Sequence, residues 1–225
     1  LKPIPCYGKN STKFKEKIWN KYLPIIGSKM NPLISIVIPT YNRAHLILEA
    51  LETCVLQTYR PIEIVVVDDG STDRTIASVQ DLNKGSSHQD VTLKIVKQEN
   101  KGGNAARNNG IKNSSGEFIA FLDSDDLWNK TKLKKQYELI SRSDIIGGVY
   151  CGLRQVEVES GKILTDENRI YTEGFILSQL LIKDVTAPTS AYLIRKKVFD
   201  EIGCFDESFQ ARQDWDMWIR LAEKY

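Results

Sequence analysis

From Leu33 onward the apolar residues of this chain fall in short dense runs separated by helical patterns. Residues 33–38 (LISIVI) are almost wholly apolar and stop at Pro39, the pattern of a strand covered on both faces. Residues 44–58 change to a helical period, with Leu46, Ile47, Ala50, Leu51, Cys54 and Val55 on one side. A second apolar run, 62–67 (IEIVVV), is closed by Asp68-Asp69-Gly70-Ser71. A helix over 72–84 and a polar turn over 85–90 follow. The run 91–96 (VTLKIV) alternates, which predicts a third strand nearer the sheet edge. Gly102-Gly103 opens a helix to about Lys112, residues 117–123 (EFIAFLD) predict a fourth strand, and Asn129 is placed to cap a helix over 130–141. Strands and helices alternating at this spacing predict an α/β fold with a Rossmann-like, mostly parallel sheet and helices on both faces.

Past 141 the pattern changes. Residues 145–158, a turn at 159–162 and the KILT segment predict antiparallel strands. A short helix over 174–182, a strand over 190–195 and helices over 196–202 and 214–224 complete the chain. Three regions result: a leader over 1–31, a first half over 32–128, and a mixed half over 129–225 within the same domain. The chain stops at Tyr225 inside a predicted helix, so both ends read as cuts in a longer protein.

Composition narrows the class. A length of 225 residues suits one α/β domain with a modest appendage, and 41% hydrophobic with 27% charged residues is ordinary for a globular protein. A formal net charge of +2 supplies no global attraction for nucleic acid, and none is expected as a partner. The leader is the local exception: Lys2, Lys9, Lys13, Lys15, Lys17, Lys21 and Lys29 stand against Glu16 alone. It reads either as a solvated segment or, with Trp19, Tyr22 and Leu23 interleaved, as a contact for an anionic membrane surface. Cys6, Cys54, Cys151 and Cys204 are scattered and have no metal-ligand spacing from His45 or His88. Reduced thiols in cytoplasm fit better than a zinc site or a disulfide framework. No apolar run approaches the ~18–20 residues that span a bilayer.

The chemistry sits at strand ends. Parallel sheets bind ligands beyond the carboxyl ends of their strands. Here those ends read Pro39-Thr40-Tyr41-Asn42-Arg43, Asp68-Asp69-Gly70-Ser71-Thr72-Asp73 and Asp123-Ser124-Asp125-Asp126. In extended backbone Asp123 and Asp125 point to one side, and two carboxylates that close repel unless a cation lies between them. Oxygen ligands favour Mg²⁺ or Mn²⁺, whose shell is normally completed by water and substrate phosphates. Helix capping is the competing reading for each such aspartate. The helix opened by Lys101-Gly102-Gly103 can offer N–H groups to an anion, with Arg107 one turn in. Asp214 opens the last helix beside Trp215, where it is either a dipole-stabilised cap or a general base in a partly desolvated setting.

Together these segments resemble the family 2 glycosyltransferases, which have the GT-A fold. The resemblance runs from about Pro32 to the end. It rests on ISIVIPTYNR (34–43), EIVVVDDGSTD (63–73), NKGGNAARNNG (100–110), GEFIAFLDSDDLW (116–128), GCFDE (203–207) and QDWDMWIRLA (213–222). It implies inverting transfer of a sugar from a nucleoside-diphosphate donor, with UDP expected, to a saccharide or lipid-linked saccharide in bacterial surface polysaccharide assembly. It further implies that 32–128 binds the nucleotide-sugar and 129–225 the acceptor. Pro39, Thr40, Tyr41, Arg43, Asp68, Lys101, Arg107 and Asp123 would then bind the nucleotide, Asp125 the Mg²⁺ or Mn²⁺, and Asp214 would be the general base. Thr189, Ser190 and Asp216 are assigned to the acceptor side, with Asp216 a standby base. Where the family often has Glu-Asp, this chain has Gln213-Asp214. A cytoplasmic protein in peripheral contact with the inner face of the membrane would suit such an acceptor.

Two other readings share these features. A nucleotidyltransferase would use the same sheet and metal carboxylates, but it calls for a Gly-rich, Arg-containing loop where this chain has PTYNR. A non-catalytic nucleotide-sugar or saccharide-binding module would have no use for a base at Asp214.

Overall fold

The structure is a computed structural model that describes residues 31–83, 90–157, 160, 162–167, 173–183, 186–209 and 212–225. The basic leader up to residue 30 and most of the polar turn at 85–90 lie outside the described residues.

The strands are β1 (Ile34–Thr40), β2 (Ile62–Asp68), β3 (Val91–Lys97), β4 (Phe118–Phe121), β5 (Gly148–Val149), β6 (Leu153–Val156), β7 (Ile163–Glu167) and β8 (Leu193–Arg195). The helices are α1 (Ile47–Val55), α2 (Thr75–Asn83), α3 (Gly103–Asn113), α4 (Lys132–Ile140), α5 (Leu177–Leu180), α6 (Lys196–Ile202) and α7 (Gln213–Lys224), with a 3₁₀ turn at Thr189–Ala191. A six-stranded sheet runs β3-β2-β1-β4-β8-β5. β1 pairs in parallel with β2 and β4, and β2 in parallel with β3. β8 is antiparallel to both its neighbours, so the second half of the chain completes the first half's sheet.

Strand position follows from apolar content. Every residue of β2 is buried, as is every residue of β1 except the half-buried Pro39, and both are interior strands. β3 alternates buried and exposed positions and takes the edge, where one face meets water. The period-2 geometry sends Ile34, Ile36 and Ile38 to a core shared with α1, α2 and α4. Val37 points the other way, into a core with α3, α6 and α7. Close approach of α3 to the sheet requires Gly110, because a Cβ there would lie 2.2 Å from Val37 Cγ1.

Differences from the sequence expectations collect in the second half. The long strand over 145–158 breaks into β5 and β6, and β6 pairs with β7 in a separate two-stranded ribbon. The strand over 190–195 keeps three residues, because 189–191 turn as 3₁₀ helix to bring Ser190 behind the end of β4. Helix α4 starts at Lys132 rather than 130, since Asn129 Oδ1 accepts the Thr131 amide and hydroxyl and delays the first helical turn.

Candidate functional site

The loops after β1 and β2 are sewn together by short polar side chains. Asn42, with φ of 52°, accepts the Thr72 amide at 2.8 Å on Oδ1 and donates its own amide to Ser71 Oγ. Asp73 accepts the Ala44 amide at 3.1 Å and the Thr75 amide at 2.9 Å. Its carboxyl is held below the ordinary range, chiefly by the Thr75 hydroxyl. Asp73 thus fulfils the capping alternative, at the start of α2. Thr40 stands opposite Asp68 in the strand register, and both are buried. Asp68 accepts the Ser71 amide, whereas Thr40 Oγ1 has no protein partner. Pro39 is half-buried at the end of β1 and Tyr41 is exposed just past it.

Asp69 was not singled out by the sequence, and its carboxylate ties the end of β2 to the start of α3. It is 5% exposed and accepts the Lys101 amide, the Gly102 amide and Gln98 Nε2, each at 2.8 Å. That clamp sets where α3 begins. Gly102 has φ of 90° and open space where a Cβ would be, and α3 starts without a side-chain cap. Its leading N–H groups are of the kind that bind anions. The signal in the sequence was the doubled acid after a buried strand, whose two members must face different ways.

One turn into α3, Arg107 NH2 donates to Asp123 Oδ1 at 2.6 Å, a charge-assisted contact between the helix and the end of β4. Arg107 Nε is buried without a protein partner. Asp123 is held from behind, its amide donating to Ser190 Oγ at 2.9 Å. Asp125 is different: its side chain is half exposed, and its ionic neighbour is Arg43 at a loose 3.6 Å. Asp126 is pushed above the ordinary carboxylate range, first by burial and further by Asp123 and Asp125, against the pull of its Ser190 hydrogen bond. Among the described residues no three His, Cys, Asp or Glu side chains gather into a metal cluster. The donor set still fits a hard divalent ion that keeps one or two carboxylates and takes its other ligands from phosphates and water, with Asp125 carrying the accessible lone pairs.

Behind this loop lies an unexpected cation. Lys132 is 7% exposed, and among the described residues no carboxylate pairs with it. Its Nζ lies 4.0 Å from the centre of the Trp128 ring and donates to Gln136 Oε1 at 2.8 Å. Trp128 Nε1 donates to the Ser190 carbonyl, and Gln136 Nε2 to that of Ala191. Burial pulls the Lys132 ammonium down to about 8.

Thr189 and Ser190, expected on the acceptor wall, are both buried; Ser190 braces the Asp123 loop. Asp216, expected as a standby base, receives Arg220 Nε at 3.0 Å and NH2 at 2.7 Å, both on Oδ2, so it is paired with a cation. Asp214 is partly buried, and its Oδ1 accepts the Trp215 amide. Trp215 Nε1 ties that turn to the Leu180 carbonyl of α5. Trp218, on the same side of α7 as Asp214, stacks on Tyr192 at 3.6 Å and meets Phe205 edge-on. Lys101 is exposed at the mouth of α3.

The sequence profile described as Glycosyl transferase family 2 matches residues 35–203, from the start of β1 to past α6. The chain belongs to that family. The uncharacterized glycosyltransferase RT0329 of Rickettsia typhi is 34% identical over 196 residues, which are 85% of this chain and 59% of that protein. Staphylococcus aureus TarS 1–349 in complex with UDP superposes with a TM-score of 0.63 at 26% identity, covering 84% of this chain and 55% of that one. The mannosyltransferase PcManGT of Pyrobaculum calidifontis, solved with GDP-Man and Mn²⁺, gives a TM-score of 0.64 at 22% identity over 93% of this chain and 57% of its own, a likeness of fold. The chain therefore spans somewhat under two thirds of the length of these relatives. The fold is of the GT-A type, and the family 2 profile encloses the ends of β1, β2 and β4 and the start of α3. Among the described residues no helix is long and apolar enough to cross a membrane.

Proposed function

We propose that this family 2 chain is the catalytic domain of a metal-dependent, inverting glycosyltransferase that uses a nucleoside-diphosphate sugar, with UDP as the nucleotide. The observation that carries this reading is the contact of Arg107 with Asp123 beside the half-exposed Asp125, at the mouth of an uncapped helix. Anionic diphosphate is stabilised by helix N–H groups and a fixed guanidinium. Asp68, Thr40 and Tyr41 would line the base end. Asp125 would hold Mg²⁺ or Mn²⁺, and Asp123 would approach the ribose. A divalent ion there supplies neutralisation of the charge that develops on the departing diphosphate.

The remaining chemistry falls to Asp214. Its carboxylate takes the proton from an acceptor hydroxyl as that oxygen forms a bond to the anomeric carbon. The bond from that carbon to the diphosphate oxygen breaks on the opposite face, so configuration inverts and UDP leaves. A base so placed contributes about 10²–10⁴ in rate. By the family resemblance the acceptor is a saccharide or lipid-linked saccharide of surface polysaccharide assembly, met at the cytoplasmic face of the membrane, with 129–225 as the acceptor half.

Thermal stability measured with UDP, GDP, dTDP and CMP, each with Mn²⁺ or EDTA, tests the donor site. A nucleotide at 100 times its Kd adds about 2.7 kcal/mol, roughly 5–10 °C at this size. A Mn²⁺-dependent rise with UDP is the expected result. No shift with any nucleotide in folded protein would refute the donor reading.

A further inference from the structure

The segment after α6 is strapped on two sides. From α7, Arg220 NH1 donates to the carbonyls of Ile202 at 2.8 Å and Gly203 at 3.4 Å, and NH2 donates to that of Cys204 at 3.0 Å. Asp216 fixes the same guanidinium by accepting Nε and NH2 one helical turn away. From α3, Asn108 Oδ1 accepts the Phe205 amide at 2.9 Å while its Nδ2 donates to the Phe205 carbonyl at 2.8 Å. Asn104 Nδ2 donates to the Asp206 carbonyl at 2.7 Å. Phe205 itself is 3% exposed and packs edge-on against Phe121 of β4 and Trp218 of α7, with the Arg107 guanidinium 6.0 Å from its centre.

This loop thus joins the helix that carries Arg107 to the helix that carries Asp214, and the Phe205 ring touches β4, the strand that leads to Asp123. We propose that Asp216 and Arg220 are positioning residues: through the 202–206 loop they set the spacing between the helix of the donor site and the helix of the base, and Asp216 takes no proton in the reaction. The chemistry supports this division. Arg220 sets two guanidinium N–H groups on Asp216 Oδ2, whereas Asp214, whose Oδ1 accepts the Trp215 amide, meets no such cation among the described residues. Arg220 uses all three of its nitrogens on the latch, so the loss of either partner releases the same backbone carbonyls.

The proposal rests on the donor and base assignments made above, and the test separates the two. UDP release from UDP-sugars, screened with saccharide acceptors, is followed against pH for Asp214→Asn, Asp216→Asn, Asp216→Ala, Arg220→Ala and the Asp216→Ala/Arg220→Ala pair. A latch predicts that Asp216→Ala and Arg220→Ala each lose about tenfold in kcat/KM, and that the pair is no worse than either single change. It also predicts that Asp216→Asn, which still accepts from Arg220, recovers most of the loss, with the acidic limb of the pH profile unmoved in all of them. Amide exchange at Phe205 reads the latch without turnover, and it should quicken about tenfold in Asp216→Ala as local opening becomes easier. Loss of turnover in Asp216→Asn as deep as in Asp214→Asn, together with loss of the acidic limb, would overturn the proposal. So would additive losses in the pair or an unchanged Phe205 amide. Failure of wild-type protein to bind UDP with Mn²⁺ would instead refute the donor assignment, and Phe205 exchange would still decide the latch.

Discussion

Replacing Lys132 by Met should change how the stability of this domain depends on pH, and by an amount the structure sets. Lys132 is buried without a carboxylate, and burial lowers its ammonium from the ordinary 10.5 to about 8. The thiols of Cys54 and Cys151 face it, and burial pushes both of those up, so they stay neutral near pH 7. In that range the charge is present in both folded and unfolded chains and opposes folding by about 3 kcal/mol, at 1.36 kcal/mol for each pH unit of the difference. Between the two values the unfolded chain binds more protons than the native one, so stability rises with pH. From about pH 7 to pH 9.5 the wild type should gain about 2 kcal/mol relative to Lys132→Met, in which this titration is missing. Other groups titrate alike in both proteins and cancel. At pH 7 the variant also leaves Gln136 Oε1 without its donor, a cost of about 1–3 kcal/mol that offsets part of the relief. The pH dependence of the difference is therefore cleaner than its absolute size. Calorimetric melting at both pH values measures it, with the difference in Tm expected to move by about 4–8 °C in favour of the wild type. A difference in Tm that stays constant over that range would refute a buried, charged Lys132.

Other perturbations follow from single contacts. Asp214→Asn should keep UDP affinity with Mn²⁺ and lose transfer by about 10²–10⁴, read as kcat at saturating donor; normal turnover would remove Asp214 as the base. Asp125→Ala should abolish the Mn²⁺-dependent part of UDP binding in a calorimetric titration while Tm without ligand stays within about 2 °C, because the side chain is half exposed and loosely paired. Gly110→Ala should destabilise by about 2–4 kcal/mol in denaturant unfolding, since its Cβ would overlap Val37 where α3 meets β1 and neither backbone can move alone.

Much of the first half was legible because its strands are interior. When both faces of a strand are covered, as for β1 and β2, the apolar run itself marks the element, and no tertiary partner can change its sign. The same holds for the acidic strand ends, which parallel pairing must bring to one edge of the sheet. The i, i+4 spacing of Asp216 and Arg220 was also visible and would have argued for an ion pair over a second base.

Other features depended on what packs where. Lys132 sits in a lysine-rich stretch that reads as a solvated helix face, yet α4 turns that one lysine inward onto Trp128 while Lys134 and Lys135 stay exposed. Ser190 reads as part of the acceptor side, and only the pairing of β8 with β4 carries it behind Asp123. The second half breaks into short elements because its strands have few apolar neighbours of their own and take their bounds from partners distant in the chain. Sequence by itself determined the parallel core, its polar rim and the kind of chemistry that rim can do. Tertiary structure decided the pairings that are not local, Arg107 with Asp123 and Arg43 with Asp125, because these depend on distances between residues 16 and 82 (125 − 43) positions apart, and local pattern carries no record of those distances.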